Sequence, residues 1–186
     1  DPVIVSGFAH GVDICAQMAA VDLGLETVAC LAHGLDRVYP QAHKRYVDKV
    51  CAHGGLLTEF WHGVPPEPMH FIRRNRIIAG ISRATVIVES ASRGGSLVTA
   101  DLAFGYDREV FAVPGRVGDV YSQGCNSLIG DQKAQLLESA DDLASALNWE
   151  PVRPPAGLDN NPAPNVDTLG REARRIVDFL CRENDP

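Results

Sequence analysis

Residues 71–76 read Phe-Ile-Arg-Arg-Asn-Arg and form the densest basic feature of the chain. Guanidinium groups take phosphate in bidentate fashion, Asn75 could donate to a phosphate or read a base edge, and the Phe71 ring offers a face on which a base could stack. Between Trp61 and Arg83 four arginines face one acid, Glu67, so this window carries about +3 in a chain whose formal charge is −7. The competing reading is ordinary: a helix in a sheet protein carries arginines on its solvated face, and Phe71 belongs to the core. Helical spacing also divides the cluster, because Arg73 and Arg76 share a face while Arg74 lies about 100° away. At least one of the three is therefore expected to serve structure, paired to Glu89 or Asp101.

Three glycine turns offer complementary chemistry. Where a parallel strand ends and the chain turns through glycine into a helix, backbone N–H groups and the helix dipole make a place for an anion. The first is Ser6-Gly7-Phe8-Ala9-His10-Gly11-Val12-Asp13, which lacks the G-x-G-x-x-G dinucleotide spacing. The second is Ser92-Arg93-Gly94-Gly95-Ser96-Leu97-Val98-Thr99, in which Ser96 and Thr99 add hydroxyls to a helix start. The third and weakest is Gly124-Cys125-Asn126-Ser127. Any one of them could hold glycine for backbone reasons alone. Three on the strand ends of one sheet point to an anionic ligand.

Most catalytic readings fall away on spacing. Gly94-Gly95-Ser96-Leu97-Val98 is not the G-x-S-x-G elbow of a serine hydrolase. The six histidines (10, 33, 43, 53, 62, 70) make no H-E-x-x-H or other ligand spacing, and no G-x-x-x-x-G-K-[ST] is present. No metal and no cofactor is expected. Asp13, Asp36, Glu59, Glu89 and Asp101 could act as acid or base, but spacing pairs none of them, and capping or pairing with arginine is the favoured role.

The elements that must position these residues repeat a simple unit. β-branched apolar runs are each followed by a glycine turn and a stretch with helical spacing, which is the pattern of a parallel sheet with crossover helices. Strands are expected at 3–5, 27–31, 56–60, 85–89 and 110–113. Helices are expected at 11–23, 41–52, 73–81, 97–105, 127–129, 133–137 and 140–147. Pro65, Pro66 and Pro68 make 62–70 an extended surface loop. Five prolines between Pro151 and Pro164 mark a linker, and helical spacing resumes at Arg171–Cys181. The expected division is residues 1–149, a linker 150–168, and 169–186 as the opening of a helical domain. A chain that starts without Met and stops after one such helix reads as an excerpt.

Composition bounds the rest. With 186 residues, 45% of them hydrophobic, one main domain plus an appendage is affordable. A net charge of −7 argues against coating nucleic acid by bulk charge, so any such role needs a local patch. No apolar run approaches the roughly 18 residues of a membrane span, and five scattered cysteines without CxxC spacing fit reduced thiols. A soluble, cytoplasmic protein is expected.

The succession SGFAHGVD (6–13), HGLDRVYP (33–40), LLTEF (56–60), FIRRNRIIAGIS (71–82), VIVESASRGGSLVTADLA (86–103), REVFAVPG (108–115) and QGCNSLIGD (123–131) resembles, in order and distance, the DNA processing protein A family (DprA, also called Smf). The resemblance implies an extended Rossmann-like domain, a mostly parallel doubly wound sheet with flanking helices, and a truncated C-terminal segment of winged-helix type. It implies a non-enzymatic protein that binds single-stranded DNA, forms a homodimer, and helps load the RecA recombinase during natural transformation. Carried over by motif, the DNA-binding residues are Phe71, Arg73, Arg74, Asn75 and Arg76, with Gly94, Gly95, Ser96 and Thr99 beside them and Ser6, Gly7, His10 and Gly11 in the same pocket. Departures are local: His10 stands where Arg is common, Gln17 for His, His43 for Asn, Gly94 for Ser, and Pro68-Met69-His70 where a Lys is sometimes found. The family's earlier strand and glycine-serine-arginine turn have no counterpart in this sequence. The alternative is a nucleotide-processing phosphoribohydrolase of the lysine-decarboxylase-like group. Its P-G-G-x-G-T-x-x-E segment is matched at 93–100 without the glycine before Thr99 and without the catalytic Glu.

Overall fold

A computed structural model describes residues 2–149. The chain divides into two compact units, residues 1–143 and 144–186. The expected linker at 150–168 and the helical segment at 169–186 lie outside the described residues. In the first unit the order is β1 (Ile4–Ser6), α1 (Val12–Asp22), β2 (Thr27–Cys30), a 3₁₀ stretch (Gln41–Tyr46), α2 (Val47–Ala52), β3 (Gly54–Leu57), α3 (Pro68–Ile81), β4 (Ala84–Ile87), α4 (Gly95–Gly105), β5 (Glu109–Ala112), α5 (Gln123–Gly130) and β6 (Gln135–Leu136), and α6 runs Ala140–Ala146. Every strand pairing is parallel, as the crossover pattern requires.

The strands form two three-stranded sheets, β1-β2-β3 and β4-β5-β6. Each has its own core. Phe8, Ala29, Leu31 and Val50 pack with Ile14, Met18 and Leu56 over the first, while Ala79, Ile87, Ala100, Ala103, Ala112, Cys125 and Leu128 pack over the second. The alanines of α3 and α4 let those two helices lie closely side by side. Cys30 and Cys125 are buried core thiols, and burial raises Cys30 to about 11 against the opposing charge of Arg74.

Several boundaries differ from the sequence pattern for identifiable reasons. Gly54-Gly55, expected to stop a helix, open β3 instead, with Gly54 paired to Thr27. Pro68, expected in a loop, occupies the first turn of α3, where its missing N–H costs nothing. The helix expected over 41–52 begins as a 3₁₀ stretch. In the 133–137 stretch, expected to be helical, Gln135 and Leu136 pair with Phe111 and Ala112, and a short run beside a parallel edge takes the sheet in preference to its helical spacing.

Two loops at the tips of the first sheet are tied together. The Gly63 N–H donates to Asp36 Oδ1 at 2.8 Å, Arg37 donates to Asp36 Oδ2 from Nε and Nη2, and the Gly34 N–H reaches the Val64 carbonyl at 3.0 Å. The buried His33 donates from Nδ1 to the Gly34 carbonyl and accepts the Tyr39 N–H on Nε2 at 3.2 Å, so both ring nitrogens are tied to loop backbone. The Gly63 N–H, with Arg37 beside it, holds the Asp36 carboxyl down at about 2. A carboxyl depressed in the folded state stabilises above its unfolded value, and that contribution disappears as pH falls from the ordinary 3.8 through about 2. Asp36→Asn is therefore expected to melt below the parent protein at about pH 6, with the two curves converging by about pH 2. Thermal melts across that range check it, and a gap that persists in acid would assign the effect to shape alone.

Candidate functional site

The ends of β1 and β4 and the helices that follow them border one open cleft of about 690 Å³. Eleven of the thirteen candidate residues line it. Ser6, Gly7, His10 and Gly11 come from the turn into α1, Phe71, Arg74 and Asn75 from one face of α3, and Gly94, Gly95, Ser96 and Thr99 from the start of α4. Arg73 and Arg76 do not border it. They lie on the other face of α3, where Arg73 forms an ion pair with Glu59 Oε2 at 3.1 Å and Arg76 donates to the same oxygen at 2.6 Å. The basic window is thus partly neutralised by an acid just outside its sequence bounds. Of the carboxylates weighed for acid or base work, Glu59 pairs with these two arginines, Asp36 pairs with Arg37, and Asp13 faces Arg74.

Arg74 is the structural member of the trio. It is 4% exposed, and its Nη1 donates to the carbonyls of Gly7 (2.9 Å) and Cys30, at the tips of β1 and β2, while Nε donates to Asn75 Oδ1 at 3.2 Å. The expected partners Glu89 and Asp101 are not its partners. The charge facing it is Asp13, and Asp101 pairs with Lys133 at 2.9 Å. Burial pushes the Arg74 guanidinium downward, and Asp13 opposes that shift. Asp13 in turn accepts the N–H groups of Gly7 (3.0 Å) and Ala9 (3.1 Å). In the first glycine turn, two of the N–H groups that an anion could use already hold an internal carboxylate.

The start of α4 is more open. Its cap residue, Gly94, supplies no side-chain bond, and φ there is 171°, extended backbone that any residue adopts. A Cβ at Gly94 or Gly95 would meet only ordinary contacts, the nearest at 3.6 and 3.8 Å. Neither glycine is required by its own backbone, and both leave room beside unfilled N–H groups in the cleft. Ser96 donates to Ser90 Oγ at 2.9 Å, and Thr99 spends its hydroxyl on the Gly95 carbonyl at 3.0 Å. Asn75 Nδ2 donates to that same carbonyl at 3.3 Å, so this side chain bridges α3 to the α4 turn. Phe71 is half-buried, edge-on to Tyr39 at 5.7 Å, with the Arg74 guanidinium 5.8 Å from its ring centre.

Sequence reasoning passed over two cleft residues. Arg93 is exposed at the rim and has no partner among the described residues. It stands in the second glycine turn and could have been found there. Tyr121, exposed in the loop after β5, had no motif to mark it. In the wall, the Thr85 hydroxyl is buried without a hydrogen bond. The third glycine turn is closed off: Asn126 exchanges both hydrogen bonds with the Gly115 backbone at 3.1 Å, and the Gly124 N–H bonds to the Ser90 carbonyl.

Parallel strands, crossover helices and an open cleft where strand tips meet two helix starts define a Rossmann-like α/β protein. The family model described as DNA recombination-mediator protein A matches residues 1–148. The chain belongs to that family. It is 43% identical over 147 residues to DNA processing protein DprA of Streptococcus pneumoniae, covering 79% of this chain and 52% of that one. It is 42% identical over 156 residues to protein Smf of Escherichia coli, covering 81% and 41%. Among solved structures it resembles the Streptococcus pneumoniae protein (TM-score 0.71, 41% identity, 77% of this chain and 50% of that chain). It also resembles DNA processing protein A from Helicobacter pylori, a structure described for its single-stranded DNA binding mode (TM-score 0.72, 30% identity, 78% and 66%). The chain spans about half the length of the curated relatives it matches. Among the described residues no helix is long and apolar enough to cross a membrane.

Proposed function

We propose that this chain binds single-stranded DNA without catalysing a reaction on it. In the cell it would act in the cytoplasm as a homodimer that protects incoming DNA and helps load the RecA recombinase during natural transformation. The observation that carries the reading is the open start of α4, two glycines not required by their own backbone beside N–H groups free for phosphate, facing Phe71 across one cleft. The Helicobacter pylori relative, described for single-stranded DNA binding, supports it. Phosphate contacts from helix starts and arginines hold the backbone, and stacking holds a base without reading sequence.

A titration of oligo-dT and of duplex DNA at two salt concentrations tests this. Single strands should bind more tightly than duplex, and the logarithm of affinity should fall with the logarithm of salt by roughly 0.7 for each phosphate neutralised. Arg93→Ala, at the rim of the cleft, should flatten that slope by roughly 0.7 to 1. Equal affinity for duplex, or binding indifferent to salt, would overturn the proposal.

A further inference from the structure

The face of α3 turned away from the cleft carries a second constellation. Arg73 and Arg76 are well exposed (63% and 48%), yet both close on Glu59, whose side chain is only 15% exposed. Each arginine spends one Nη2 contact on Glu59 Oε2, and five N–H donors per guanidinium leave most of each fork unused. The other Glu59 oxygen, Oε1, is buried without a partner. Two cations over one anion leave an excess of positive charge at the surface.

Aromatic rings lie directly beside it. The Arg73 guanidinium sits 5.7 Å from the centre of the Phe60 ring, whose other neighbour is the His70 ring at 4.4 Å. The next residue, Trp61, is 86% exposed, an indole that buries almost none of the surface such a ring normally contributes to a core. Its backbone is nevertheless held: the Trp61 carbonyl accepts the Val64 N–H at 3.1 Å and lies against the Cα of Gly34. A flat exposed aromatic face on a braced turn, one residue along the chain from the Phe60 ring that Arg73 covers, offers with the two guanidinium groups gathered around Glu59 a match for the two halves of a nucleotide unit, a base and a phosphate.

We propose that Arg73, Arg76 and Trp61 form a second contact station for single-stranded DNA outside the cleft, in which a backbone phosphate replaces Glu59 between the guanidinium groups and an unpaired base stacks on the indole. This rests on the single-stranded DNA reading and lengthens the footprint it implies. Glu59 is then the internal anion that keeps the two arginines together while the station is empty. The station shares α3 with the cleft, so a strand leaving Phe71 passes over the helix to reach it.

The sequence contains two tryptophans, so Trp149→Phe leaves Trp61 as the single indole reporter in the 186-residue chain. Binding of labelled oligo-dT of about 6 and about 25 nucleotides is followed by anisotropy, and Trp61 emission is followed with the unlabelled strands. Both lengths should bind, and the longer should quench Trp61 severalfold more than the shorter. Trp61→Ala should weaken the long strand about fivefold or more while leaving the short one unchanged. Glu59→Gln should tighten the long strand about threefold or more, and adding Arg73→Ala with Arg76→Ala should abolish that gain. Unchanged Trp61 emission at saturating DNA, or weaker long-strand binding by Glu59→Gln, would overturn the station while the cleft reading stands. If neither length binds by anisotropy, the cleft reading falls and the station with it.

Discussion

Arg74→Met should cost about 3–5 kcal/mol of folding stability, the largest loss of any single arginine in the basic window. The side chain is 4% exposed and supplies Nη1 to the carbonyls of Gly7 and Cys30, so its removal strands two carbonyls at the tips of adjacent strands. It also leaves Asp13 without the cation that faces it. Methionine keeps most of the volume, which separates the lost bonds and charge from a cavity. Arg73→Ala and Arg76→Ala remove exposed ends of ion pairs and should each stay within about 1 kcal/mol of the parent. Urea denaturation of the three variants measures the contrast. If Arg74→Met unfolds at the parent's midpoint but loses DNA affinity, the guanidinium serves the ligand and not the strand tips.

Gly54→Ala should cost about 2–4 kcal/mol, against less than about 1 kcal/mol for Gly55→Ala next to it. Gly54 has φ +152°, and a Cβ there would fall well inside van der Waals contact of the Thr27 carbonyl oxygen, with the Thr27 carbonyl carbon at 3.0 Å and its nitrogen at 3.2 Å. Thr27 is the residue paired with Gly54 in the ladder and is fully buried, so relief requires the backbone of β2 or β3 to move. At Gly55 a Cβ would meet nothing within 4 Å, and its φ lies outside the positive range. Equal midpoints for the two variants in thermal or urea melts would show that β3 can shift freely against β2.

These contrasts bear on what could be read from residues in a row. The alternation of β-branched runs, glycine turns and helical spacing was enough for the class, and Val28 or Ile87 could have been assigned to a strand by anyone counting. Gly54-Gly55 could not, because a glycine pair after a helix carries the same signal whether the chain turns there or enters a crowded parallel pairing. The site behaves likewise. Helical geometry separates Arg74 from Arg73 and Arg76, but it cannot tell which side faces strand tips, because that depends on how α3 packs on β2. The first glycine turn showed its N–H groups and its aspartate in one eight-residue string. Only the fold reveals that the aspartate has already taken two of them.

The bracing of α3 reaches beyond the site. Each sheet has a core of its own, and two such bodies need not unfold together. Arg74 anchors the helix to the tips of β1 and β2, Asn75 anchors it to the turn that opens α4, and Ala79 belongs to the second core. Loosening either end of these anchors therefore removes support from the other half. α3 thus couples the two halves, and amide exchange at the β1 and β2 tips is expected to follow the same protection as α4 for as long as Arg74 and Asn75 hold.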